Sequence, residues 1–243
     1  MERVLLEGTH LLADALDAHL ELEAVLATPA FLGSAAALPL LRRLPRPPLE
    51  IEAGLLDALA DSDSPRGLLS IARIRRRGLE DLALPSSPRL TVVYADGLQD
   101  PGNAGALARV AEGAGVAALV TAPGTARLSH PRALRASAGS LLRLPVAEAV
   151  PWRSLDARLE PADTTWVCLG ARRGQSLYGP LPRGPRVLVV GSESAGISPE
   201  LLQRADLLTT IPMAGRLESL NATVAAAVVL FEWSRRDRRG VEG

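Results

Sequence analysis

VLVVGSESAGIS, residues 187–198, decides how the rest of the chain is read. Its first half, Val187–Val190, is a largely β-branched apolar run that stops at Gly191. Such a run suits a strand buried on both faces of a parallel sheet, ending at the carboxyl edge where open α/β sheets bind ligands. Ser198-Pro199-Glu200 then has the marks of a helix start: an N-cap serine, proline in the first turn and an acid beside the positive helix end. A second apolar run, Leu207–Ile211, stops at Pro212 and opens into Met213-Ala214-Gly215-Arg216, with another helix expected from about Ser219. Two strand ends thus deliver two polar loops to one edge, and a single chemical site can form between them.

Composition sharpens this. All basic residues are Arg, with no Lys, and there are two Asn in the whole chain, Asn103 and Asn221. A coding bias against AA-starting codons would explain both depletions. Yet one Asn stands in the loop just described and the other in ADGLQDPGNAGALAR, residues 95–109. Capping of the following helices is the bland explanation, but Asp or Ser would serve as well there. Retention of an amide at both places points to chemistry.

Taken in order, residues 95–109, GSESAGIS (191–198) and IPMAGRLESLNATVAAA (211–227) resemble the three motifs of the SpoU-type RNA ribose 2′-O-methyltransferases of the SPOUT superfamily. Ordered motifs are far more specific than one Gly-rich loop. The match departs at Ser194, where the family usually has Gly, and at Ala222-Thr223, where Val-Ser is common. The resemblance implies a mostly parallel α/β sheet with helices on both faces and a C-terminal trefoil knot. It also implies a homodimer that transfers methyl from S-adenosylmethionine to a ribose 2′-hydroxyl of structured RNA. Ribosomal RNA ranks ahead of transfer RNA as that substrate; a catalytically silent RNA-binding assembly factor is the alternative from another class. By the same resemblance, backbone at Gly191, Ile211, Met213 and Leu220 holds the cofactor. Arg109 matches the catalytic arginine, Asn103 supports its loop, and Ser219 and Asn221 position the nucleotide. Glu193 shapes its loop or contacts the neighbouring subunit. A guanidinium holds its proton tightly, so Arg109 can equally be read as stabilising charge on the attacking oxygen.

The remaining sequence sets the context. The 243 residues are 47% hydrophobic, and 27 basic residues balance 27 acidic ones, so bulk charge gives no sign of a nucleic-acid partner. The single Cys168 excludes an intramolecular disulfide, and its apolar surroundings suit a small core residue. His10, His19 and His130 lack metal-ligand spacing, so no metal is expected. Ala24–Leu41 carries no charge, but Pro29, Gly33 and Pro39 interrupt it, which argues against a membrane span and for a cytoplasmic protein.

Residues 1–84 read as a small α/β unit, with a helical face at Leu11, Leu12, Ala15 and Leu16 and strands near Leu22–Ala27 and Gly67–Ala72. EGTHLLADAL and SPRGLLSIA resemble the RNA substrate-binding domain often found ahead of SpoU catalytic domains, similar to a ribosomal-protein RNA-binding fold. Pro85-Ser86-Ser87-Pro88 marks a linker over 85–89, leaving 90–243 as the methyltransferase unit. Arginine runs, including Arg73, Arg75 and Arg76, are ordinarily solvated faces. Beside an RNA-modifying unit they become phosphate contacts, with Arg135 as the corresponding contact in the second unit. Aromatic residues are 3% of the chain, so stacking platforms are not evident.

Within residues 90–243, strands are expected at Leu90–Ala95, Val116–Thr121 and Trp166–Gly170, and helices at Asn103–Ala114 and after His130. Arg109 is either functional or a surface partner of Glu112. The last helix, Leu220–Trp233, is apolar nearly all round and needs cover from the sheet on one side and a second subunit on the other.

Overall fold

A computed structural model of the chain describes all residues except 63–64, 76, 171–173, 217–218 and 240–243. The first part contains β1 (Glu2–Glu7), α1 (Gly8–Asp17), β2 (Glu21–Ala27), α2 (Pro29–Leu32), α3 (Ala37–Leu41), β3 (Leu49–Glu50), α4 (Ala53–Leu59) and β4 (Leu68–Ile74). These strands form a sheet in the order β1-β4-β2-β3, with β4 antiparallel to both of its neighbours. Three parts of it were not legible: β1, with the sequence ERVLLE, the short helices α2 and α3 inside the uncharged stretch, and the short strand β3. Thr28 caps α2 by accepting from the Phe31 amide, and Pro29 opens it. Among the described residues no helix is long and apolar enough to cross a membrane.

The larger part contains β5 (Thr91–Asp96), α5 (Pro101–Ala114), β6 (Ala118–Thr121), α6 (Pro131–Ser137), α7 (Ser140–Arg143), β7 (Val146–Ala147), α8 (Trp152–Leu159), β8 (Thr165–Gly170), β9 (Gln175–Ser176), β10 (Arg186–Gly191), α9 (Pro199–Arg204), β11 (Leu207–Thr210) and α10 (Ala222–Arg239). The strand order is β7-β6-β5-β10-β8-β11-β9, and each pairing is parallel. Period-two alternation sends Val93, Ala95, Leu188 and Val190 into one buried cluster and Val92, Tyr94, Val187 and Val189 into another. The first cluster is covered by Leu107 and Ala108 of α5 and Val229, Leu230 and Trp233 of α10. The second is covered by Leu155 and Leu159 of α8 and Leu201 of α9. A sheet covered on both faces explains why its strands read as unbroken apolar runs.

Leu82 is buried in the second cluster of the large sheet, with Leu79 and Leu84 against it. The residues just ahead of Pro85 thus rest against the large sheet. Cys168 is fully buried, and burial pushes its thiol up to about 12.

Two helix starts differ from the sequence expectation. α5 begins at Pro101 because Asp100 accepts from the Asn103 amide at 2.8 Å. α10 begins at Ala222 because Asn221 Oδ1 accepts from the amides of Thr223 (2.9 Å) and Val224 (3.2 Å). Such a cap is worth about 1 kcal/mol. The far end of α10 is pinned by Arg186, which is 2% exposed. It pairs with Asp237, donates to Thr91 Oγ1 at 3.1 Å and lies 4.7 Å over the Trp233 ring. A buried charge is tolerated only when compensated in this way.

Candidate active site

The carboxyl ends of β5 and β10 lie side by side, with Gly191 opposite Asp96. Asp96 Oδ2 accepts from the Ser198 amide at 2.7 Å, fastening the loop after β10 to the strand before residues 97–100. Within that loop Ser192 and Gly196 exchange backbone bonds of 3.0 Å, and Ala195 N donates to Ser192 Oγ at 3.1 Å. The loop folds back onto its own strand at Gly191, where a Cβ would stand 2.3 Å from Gly196 C and 2.4 Å from Ile197 N. Gly191 is therefore required by the loop itself.

Beyond it opens a cavity of about 540 Å³ at the ends of β8, β10 and β11. Gly191, Ile211, Met213 and Leu220 all line it, as do Glu193 and Ser219. Leu169, Val190, Ile197, Leu202 and Leu208 give it an apolar wall, and Ser192, Glu193 and Ser219 are its polar lining residues. This composition and size are typical of a pocket for a cofactor-sized molecule.

At one side the two Asn meet. Asn103 Nδ2 donates to Glu193 Oε1 at 2.5 Å, and Asn221 Nδ2 donates to Asn103 Oδ1 at 3.3 Å. One amide thus joins the loops after β5, β10 and β11. The network uses both ends of the Asn103 amide, donor toward the carboxylate and acceptor toward Asn221, which an Asp carboxylate, having no donor, could not reproduce. Asn221 is both a helix cap and a partner in this chain; the capping explanation accounts for half of its role and none of the Asn103 side chain.

Arg109 lies on α5 and is exposed. The expected alternative partner, Glu112, is held by Arg143 at 2.7 and 2.9 Å. Among the described residues Arg109 has no hydrogen-bonded or ionic partner, and it does not line the cavity. A cation left available on the helix that starts at the network suits contact with an external anion.

Three of the other arginines expected on the RNA side are ion-paired within the chain. Arg135 is engaged with Glu7 (3.4 Å) and Asp61 (3.1 Å) across the junction of the two sheets. Arg73 is half-buried and pairs with Glu23, and more loosely with Glu21 at 3.7 Å. Arg75 pairs with Asp81 at 3.1 Å. Arg76 lies outside the described residues. Apart from Asp81, which follows Arg75 closely, these carboxylates lie far from their arginines in sequence, so residue spacing gave no sign of the pairs.

Three contributors were missed. Thr223 Oγ1 donates to the Asn103 carbonyl at 3.1 Å, tying the first turn of α10 to α5. Gly105 meets α6, where a Cβ would stand 2.1 Å from the Ala133 carbonyl oxygen. Arg132 of α6 reaches Asp100 at 3.1 Å. Gly105 inside an otherwise good helix was the one available signal, since glycine there costs about 1 kcal/mol unless a close approach demands it.

A parallel α/β sheet with a strand-end cavity and a three-loop polar junction defines a ligand-binding enzyme domain. Residues 90–231 match the SpoU rRNA Methylase family, and the chain belongs to it. It is similar to the 23S rRNA (guanosine(2553)-2′-O)-methyltransferase RlmP of Bacillus subtilis, 30% identical over 198 residues that span 76% of this chain and 75% of that one. It is also similar to the 23S rRNA (guanosine-2′-O-)-methyltransferase RlmB of Xylella fastidiosa, 35% identical over 158 residues, 65% of this chain and 64% of that one. Among solved structures, the SpoU methyltransferase AviRb from Streptomyces viridochromogenes in complex with AdoMet superposes with a TM-score of 0.86. Its identity is 26%, covering 97% of this chain and 91% of that chain.

Proposed function

We propose that this protein transfers a methyl group from S-adenosylmethionine to a ribose 2′-hydroxyl of ribosomal RNA. The observation that carries the reading is the Glu193–Asn103–Asn221 junction at the edge of the cavity, with Arg109 on the same helix as Asn103. The cavity fits the cofactor in size and in its mixture of apolar and polar lining residues. Gly191, Ile211, Met213 and Leu220 would hold it, and when bound it supplies an electrophilic methyl group. The chain's own residues then have to orient the ribose and manage charge. Arg109 fixes a neighbouring phosphate and stabilises negative charge on the attacking oxygen. Ser219 and Asn221 orient the nucleotide, and Asn103 with Glu193 keeps the loops in register. Positioning of this kind supplies much of the rate in a displacement that needs no covalent enzyme intermediate.

Ribosomal RNA is preferred to transfer RNA because the two relatives above are named for 23S rRNA. In this reading residues 1–84 bind RNA, 85–89 join the units, and 90–243 carry the chemistry in the cytoplasm. Arg73, Arg75, Arg76 and Arg135 remain its proposed RNA-side cations; for Arg73, Arg75 and Arg135, phosphate would take the place of the carboxylate partner. A homodimer would cover the outer face of α10, where Val224, Val228 and Phe231 are 50%, 36% and 47% exposed at helical spacing. The insertion of β10 between β5 and β8, followed by a return of α10 to α5, supports the trefoil knot that the resemblance implies. The test is a map of ribose methylation in RNA from cells with and without the gene. Loss of a mark in ribosomal RNA is expected; loss only in transfer RNA would redirect the substrate, and no change in either would refute the reading.

A further inference from the structure

The two sheets meet through an apolar contact with an ionic rim, and that rim reaches the helix of Arg109. Val4, Leu6, Leu11, Ala15 and Ala72 share one buried cluster with Leu128, Ala133, Leu134 and Leu141. Apolar burial is non-directional, so it holds the units together without fixing their angle. Directional contacts around it can. Arg143, at the end of α7, forks onto Glu112 through Nε (2.7 Å) and Nη2 (2.9 Å) and donates from Nη1 to Asp14 Oδ1 at 2.5 Å. Asp14 belongs to α1 of the small unit, whereas Glu112 lies on α5, three residues beyond Arg109. Room for this bridge is built in. Gly139 has φ +82°, and a Cβ there would stand 1.8 Å from Asp14 Oδ2. The Asp14 carboxylate thus occupies the space that a side chain at position 139 would take.

We propose that Arg143 is a positioning residue for the methyl transfer: by gripping Asp14 and Glu112 together it sets where RNA held by the small unit meets Arg109. The proposal rests on the functional reading above. Arg143 does not line the cavity and acts through its two partners. Other rim contacts, Arg135 with Glu7 and Asp61 and Arg127 with Glu2 at 3.5 Å, join the units without touching α5.

The test is a double-mutant cycle of Asp14→Asn and Arg143→Gln in the whole chain. It is read by steady-state methylation of an in vitro transcript of large-subunit ribosomal RNA, with S-adenosylmethionine affinity measured alongside. Each single variant is expected to raise KM for RNA roughly three- to tenfold, the scale of one partly exposed charged contact and its neighbours. Cofactor affinity should be unchanged, and the double variant should match Arg143→Gln alone. Arg143→Lys keeps the charge without the fork and should recover part of the loss. Wild-type KM in Arg143→Gln, or single effects that multiply in the double variant, overturns the proposal. Loss of cofactor binding in step with KM also overturns it, because that marks a fold defect. A wild-type chain that methylates no ribosomal RNA sinks the functional reading and the positioning with it; wild-type methylation with an uncoupled cycle sinks the positioning alone.

Discussion

Gly191→Ala is the smallest change that should disable the cavity. The added Cβ would stand 2.3 Å from Gly196 C, 2.4 Å from Ile197 N and 2.5 Å from Gly196 O. Carbon contacts settle at about 3.5 Å or more, so the backbone of 196–197 must retreat by roughly 1 Å. It cannot yield like a flexible side chain, because Gly196 is held to Ser192 by two 3.0 Å bonds and Ser198 is held to Asp96. Overpacking of this kind costs about 1–3 kcal/mol. If the loop relaxes outward in the free protein, binding has to restore the strained shape, and the dissociation constant of S-adenosylmethionine rises roughly five- to a hundredfold. Gly215→Ala is the control, since a Cβ there meets nothing within 4 Å. Isothermal titration of both variants, with melting curves, gives the answer. Wild-type affinity in Gly191→Ala would refute the reasoning, because the loop would then be shown to move without consequence.

Other perturbations separate the remaining roles. Arg109→Ala should keep cofactor affinity and lose most single-turnover methyl transfer, and Arg109→Lys should stay badly impaired because it lacks the planar fork; equal losses of affinity and rate would make Arg109 a support of the pocket. Phe231→Glu should yield monomers by analytical ultracentrifugation with the fold intact, since the ring is half exposed; a wild-type monomer at micromolar concentration would remove the dimer. Leu230→Glu should instead unfold the protein, because Leu230 is 2% exposed. Burial raises the Cys168 thiol to about 12, so below that pH the reactive thiolate is scarce. Iodoacetamide at pH 8 should therefore leave the native protein unlabelled and label it once unfolded; rapid native labelling would contradict the packing.

The parts of the fold that were legible are those whose signal is local. Val187–Val190 and Leu90–Ala95 read as strands because a doubly covered sheet demands uninterrupted apolar runs, and the structure departs from these bounds by a residue or two. Cavity residues were reached through motif order, since Gly191, Ile211 and Leu220 carry no chemistry in their side chains that spacing could reveal. What the chain hid was long-range. Glu7 and Asp61 as partners of Arg135, or Asp14 and Glu112 as partners of Arg143, depend on how α6 and α7 meet the small sheet, and no period in the sequence encodes that. β1 went unread because its short apolar stretch, Val4–Leu6, shows neither a clear alternation nor a turn signal ahead of it, yet it supplies Glu2 and Glu7 to the junction. Asn103 was legible for a compositional reason: in a chain poor in Asn, each survivor stands out.

The central claim is tested most directly by incubating the purified protein with S-adenosylmethionine labelled in its methyl group and unmodified large-subunit ribosomal RNA, then hydrolysing the RNA with alkali. A 2′-O-methyl group removes the neighbouring hydroxyl that alkaline cleavage needs. The account predicts label in an alkali-resistant dinucleotide, about one per RNA, and its loss with Arg109→Ala. Label recovered in mononucleotides, on a base, or equally with Arg109→Ala would contradict it.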